Sequence, residues 1–125
     1  MMNLVDIENR LSPADPTIRI YPSRCTLNAA TLRLLGLSGQ AFRVFIRQDM
    51  QQAFQGRKRV YICRSDKGIG YMVKRRGNRG IINSVSLSKK LAELLNGYGA
   101  YRVCEEVFVR EGEQTWYEIF FRKYD

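Results

Sequence analysis

The chain has no histidine, only three cysteines and three prolines, and a single tryptophan. Each scarcity excludes something. Without histidine, the commonest general base, the histidine-dependent nucleophile relays and most zinc sites are gone. Cys25, Cys63 and Cys104 are odd in number and widely spaced, which fits neither a disulfide framework nor a CxxC metal site. Each lies in an apolar, strand-like run and reads as a buried free thiol. No apolar stretch approaches the roughly 18 residues of a membrane span. Met1-Met2-Asn3-Leu4-Val5-Asp6 lacks the basic-then-apolar order of a secretory signal, so a cytoplasmic protein with no membrane role is expected.

Enzymatic motifs are missing too. Gly68-Ile69-Gly70 has neither the third glycine nor the strand-to-helix setting of a dinucleotide fingerprint. Glu105 and Glu106 are adjacent, so in a strand they point to opposite faces, which is poor geometry for a carboxylate pair. A non-enzyme with no cofactor and no metal is the expectation. At 125 residues with 45% apolar and 26% charged composition, the chain should form one compact domain with a real core.

What remains is positive charge, unevenly placed. Residues 1–17 set Arg10 against Asp6, Glu8 and Asp15, whereas residues 18–80 hold fourteen Lys/Arg against only Asp49 and Asp66. Residues 81–125 are close to balanced, so the first half carries the excess and is suited to a polyanion.

Punctuation and period give the elements. Leu4, Ile7 and Leu11 have helical spacing before Ser12-Pro13-Ala14-Asp15-Pro16 breaks the chain, so residues 1–16 read as an arm and linker. Thr17 to Tyr21 alternates as a strand, Cys25 to Leu27 is a second extended piece, and Asn28 caps a helix over Ala29 to Leu35 that Gly36 stops. Further on, Ser88 is placed as the cap of a helix over Lys89 to Leu95. Strands are expected at 41–46, 58–63, 69–73, 100–109 and 115–121. Ser65 to Gly68 reads as the turn of a hairpin joining Lys58–Arg64 to Ile69–Arg75.

The chain also echoes itself. Leu27, Leu34, Leu35 and Gly39 recur sixty residues later as Leu87, Leu94, Leu95 and Gly99, and after one deletion Phe42-Arg43-Val44 matches Tyr101-Arg102-Val103. Two copies of a small module are too few for a solenoid and suggest a pseudo-dimer. The expected fold is therefore α+β, mainly β: two related β-helix-β units, residues 17–80 and 81–125, forming one pseudo-dimeric compact domain with short helices.

Thr26-Leu27-Asn28, Leu35-Gly36-Leu37 and Gly39-Gln40, with Ser86-Leu87-Ser88, Leu95-Asn96-Gly97 and Gly99 in the second copy, resemble the AbrB and MazE type of swapped-hairpin transcription factors. The resemblance spans about twenty residues per copy. It implies that two units in one chain build an interleaved sheet core with DNA-facing loops, as in a small transcription regulator.

The candidate site rests on the charges themselves. If the hairpin pairs as expected, Arg57, Lys58 and Arg59 at one strand start and Lys74, Arg75, Arg76 and Arg79 after the other gather at its open end, with Arg24 as a further cation. Such crowding costs self-repulsion that a phosphate backbone relieves. Gly77 and Gly80 would let the loop approach a phosphate. The expected function is nucleic-acid binding, with DNA favoured over RNA. The alternative is a protein-interaction or structural module in which charge serves solubility. A second copy of the chain is a further partner to consider, because the acidic group Glu105, Glu106, Glu111 and Glu113 could receive a basic face.

Overall fold

The computed structural model describes residues 15–123 except 38, 40, 55–56, 67 and 112–113. The expected arm over residues 1–16 therefore lies outside the described residues apart from Asp15 and Pro16. The elements run β1 (Thr17–Ile20), β2 (Cys25–Leu27), α1 (Ala29–Leu34), β3 (Ala41–Phe54), β4 (Arg57–Ser65), β5 (Tyr71–Arg76), β6 (Arg79–Ile82), α2 (Val85–Leu94), β7 (Gly99–Glu111) and β8 (Gln114–Lys123). The strands close into an antiparallel barrel in the order β1-β2-β6-β5-β3-β4-β8-β7, and β7 returns to β1.

This closed barrel overturns the expected α+β pair of β-helix-β units. Each half contributes two hairpins around one helix, and the halves exchange strands. The seams β1 with β7, β2 with β6, β3 with β5 and β4 with β8 all join residues 15–65 to residues 71–123. Strands of three or four residues such as β1 and β2 bury too little to stand in a sheet of their own, and any open sheet leaves unpaired edges. Exchange supplies every strand with two neighbours.

Strand alternation fills the interior. Ile18, Ile20, Leu27, Val44, Ile62, Val73, Ile82, Val103 and Ile119 point inward and are almost wholly buried. The helices add Leu32 and Leu35 from α1 and its end, and Leu87, Leu91 and Leu95 from α2, to the same core. Helices this short gain their stability from that packing. Gly80 makes one close approach possible: a Cβ there would sit 2.6 Å from Val73 Cγ1 and 3.1 Å from Leu32 Cδ2.

Asn28 caps α1 as expected, its Oδ1 accepting from Thr31 N at 3.0 Å and from Thr17 N at 3.0 Å. One side chain thereby ties the helix start to β1. In α2 the cap is Ser84 and not Ser88, because the helix begins at Val85, three residues before the expected cap; Ser84 Oγ accepts from Leu87 N at 3.2 Å. Ser88 is buried within α2, with its Oγ 3.3 Å from Cys25 Sγ. Leu27 and Leu87 are consequently not equivalent: one lies in a strand, the other in a helix.

The expected β4–β5 hairpin does not form. β3 lies between them and is antiparallel to both, so β4 and β5 run parallel to one another. The turn residues Ser65 to Gly68 promise only a local reversal. They say nothing of a third strand entering between the two arms. The hairpin that does form joins β5 to β6 through Gly77-Asn78, with Arg76 opposite Arg79. Gly77 has φ +61°, the left-handed conformation a tight two-residue hairpin turn requires.

Candidate nucleic-acid interface

The entry of β3 splits the expected cation cluster. Arg59 faces Asp49 of β3 and Lys74 faces Ala41, eight residues away along the same strand. At about 3.3 Å per residue that is about 26 Å, so the two groups lie at opposite ends of the barrel. The side chains of Arg57 and Lys58, opposite Phe54 and Ala53, lie outside the described residues.

Arg59 is 3.7 Å from Glu118 and two-thirds buried. Burial pushes the Glu118 carboxyl above its ordinary range and the Arg59 charge partly offsets that, as expected for a pair drawn from water. Arg24 follows the β1–β2 turn and stacks over Tyr21 at 5.1 Å, near the end of β6 remote from Arg79. Arg75 faces the same way as buried Val73 and folds back, its Nε donating to the Gly77 carbonyl at 3.1 Å.

Lys74, Arg76 and Arg79 remain together. All three are exposed on the outer face of the β5–β6 hairpin, and none has an acidic partner among the described residues. Arg76 and Arg79 are directly opposed, an arrangement of like charges that costs stability.

The registers bring two further cations to this outer face that the sequence reading did not select. Lys74 pairs with Ile81, Ile81 with Thr26, Thr26 with Arg19, and Arg19 with Ala100. One row across β5, β6, β2, β1 and β7 thus begins with Lys74 and reaches Arg19. One step further along the strands, Arg76 opposes Arg79 on one side and Arg102 opposes Thr17 on the other. Arg19 and Arg102 are exposed and likewise lack an acidic partner among the described residues. The signal was present in Thr17-Ile18-Arg19-Ile20, where Arg19 is the polar position of an alternating strand. Arg102, from the nearly balanced second half, was hidden by regional charge counting.

The rest of the barrel exterior differs. Phe45, Tyr61, Cys63 and Trp116 cluster outside β3, β4 and β8, and Arg47 stacks on Phe45 and Trp116 at 4.8 and 5.3 Å from their ring centroids. Burial pushes the Cys63 thiol up to about 11, against a smaller lowering by Arg47, and raises Cys25 against a lowering by its Ser88 contact. Neither thiol is primed for nucleophilic work. Among the described residues no three His, Cys, Asp or Glu side chains converge as a metal site, and no helix is long and apolar enough to cross a membrane. No family model matches the chain, and neither a curated protein nor a solved structure is found similar to it.

Proposed function

We propose that this protein binds nucleic acid, DNA in preference to RNA, by seating phosphates on the outer face of β5, β6, β2, β1 and β7. The observation that carries the reading is that Lys74, Arg76, Arg79, Arg19 and Arg102 lie on the outer surface of the successive strands β5, β6, β2, β1 and β7, are exposed and have no acidic partner among the described residues. Uncompensated cations held on rigid strands favour an extended anion, whose condensed counterions are released on binding. A small cytoplasmic DNA-binding regulator without catalytic activity is the form the proposal takes. Phosphate contacts alone give position and affinity, not base reading.

Five phosphate contacts predict a log–log salt slope of about −4.5 for duplex DNA. A salt-titrated mobility shift, with the Lys74→Ala, Arg76→Ala, Arg79→Ala variant beside the unaltered protein, tests it. The variant should lose about 2.7 of that slope, and absence of any shift at low salt by the unaltered protein would overturn the proposal. A second reading, an interaction module without a nucleic-acid role, draws on the exposed apolar side chains of Ile69, Tyr71 and Met72 around the start of β5. Complete failure to bind DNA or RNA would favour it.

A further inference from the structure

We infer that the tip of the β5–β6 hairpin enters the major groove of duplex DNA and that Asn78, in its turn, is presented to a base edge there. The inference rests on the nucleic-acid reading above and deepens it by naming the groove and the reading residue.

The registers make this tip stand clear of the barrel wall. On one side β3 begins at Ala41, which pairs with Lys74; on the other β2 ends at Leu27, which pairs with Gly80, and the chain then turns into α1 through the Asn28 cap. The rung of Arg76 with Arg79, and the Gly77-Asn78 turn beyond it, have no further strand neighbour among the described residues. Arg76, Gly77, Asn78 and Arg79 are all exposed, and a Cβ at Gly77 would meet nothing within 4 Å. The base of the hairpin is fixed to the core, because Val73 and Ile82 are buried and Gly80 lies against Val73 and Leu32.

Dimensions select the groove. Two strands about 4.8 Å apart, with side chains on both faces, make a ribbon about 10 Å thick. The turn lies two residues beyond Gly80 and three beyond Lys74, roughly 7 to 10 Å at about 3.3 Å per residue. A major groove about 12 Å wide and about 8.5 Å deep admits such a ribbon to its floor, whereas a minor groove about 6 Å wide does not. Chemistry assigns the roles. Arg76 and Arg79 oppose one another across the ribbon, and phosphates on the two sides of the groove draw them apart and relieve the repulsion. Asn78 is uncharged, and its amide has no hydrogen-bond partner among the described residues. That amide carries both a donor and an acceptor, the pair that matches N7 and N6 of adenine on the major-groove edge. The β1–β2 turn, by contrast, engages its own arginine, since Arg24 lies over Tyr21 at 5.1 Å.

The test is site selection from a random-sequence duplex library, followed by salt-titrated binding of the selected duplex, a scrambled duplex and the selected duplex with 7-deazaadenine, which lacks the N7 acceptor. The unaltered protein should enrich a short site containing adenine, and 7-deazaadenine at one position should weaken binding. Asn78→Ala and Asn78→Gly should each lose roughly 5- to 150-fold in affinity for the selected duplex, the range of one bidentate base contact. Both should keep the salt slope and the affinity for the scrambled duplex, a pattern that a misshapen hairpin would not give. Arg24→Ala, at the remote end of the barrel, should leave the site preference unaltered. If the unaltered protein binds duplex but enriches no site, if the Asn78 variants keep the preference, or if 7-deazaadenine is tolerated at every position, the groove inference falls and the nucleic-acid reading stands. If the unaltered protein binds no duplex at low salt, that reading itself is overturned.

Discussion

The two sides of the barrel use arginine in opposite ways. Outside β3, β4 and β8, Arg47 lies on aromatic rings and Arg59 pairs with largely buried Glu118, so both guanidinium groups are engaged in holding the exterior of the sheet together. Outside β5, β6, β2, β1 and β7, the cations are exposed and one pair is directly opposed. Net charge does not distinguish these roles. Partnering does, and it divides the cations of a basic sequence into those committed to the fold and those without an acidic partner among the described residues.

The largest expected effect lies on the aromatic side. Trp116 is 6% exposed and packs with Phe45, Tyr61 and Cys63. Trp116→Ala should cost about 3 kcal/mol in denaturant unfolding, while DNA affinity of the folded fraction stays within about twofold, since none of the free cations touches it. A large affinity loss with folding intact would break the division between the two sides. Next in size, Gly80→Ala on the cationic side should destabilise by about 1–3 kcal/mol through overpacking against Val73 and Leu32. Its salt slope should remain unaltered.

Glu118 sharpens the comparison through pH. Its carboxyl is raised above the ordinary 4.5 by burial, so the folded state binds the proton more readily than the unfolded chain. Its titration therefore favours the folded state below about 4.5, and that contribution is lost as pH rises through the raised folded value. Glu118→Gln should remove this component from a plot of urea midpoint against pH, whereas Arg76→Gln should leave it in place. The smallest effect is Arg76→Gln on stability at neutral pH: relief of the opposed Arg79 should stabilise by a few tenths of a kcal/mol in urea unfolding. A loss instead would show that Arg76 has a partner within the fold.

The local signals in the sequence were good guides to elements. Asn28 with Ala29 to Leu35 names its own cap and helix, and Thr17 to Ile20 names its strand, because capping and alternation involve neighbours only. Partnership was not legible. Ser65 to Gly68 has the composition of a turn, but whether the strands on either side pair depends on β3, whose claim on both comes from Phe42, Val44 and Ile46, residues outside the turn itself. The candidate site suffered accordingly. Lys74, Arg76 and Arg79 were found because they are close in sequence; Arg19 and Arg102 join them only through the β2–β6, β1–β2 and β1–β7 registers. Arg59 was selected by its charge, and its neutralisation by Glu118 comes from a strand almost sixty residues away.

Exchange of strands between the halves has a consequence for proteolysis. The link between β4 and β5 is the only covalent connection from residues 15–65 to residues 71–123, yet four hydrogen-bonded seams also join them. A cut at Asp66 to Gly70 would leave two pieces that stay together under native conditions and part only in denaturant. A nicked molecule of this kind would keep the outer surface that bears Arg19, Arg79 and Arg102 whole, since that surface is sewn from both pieces.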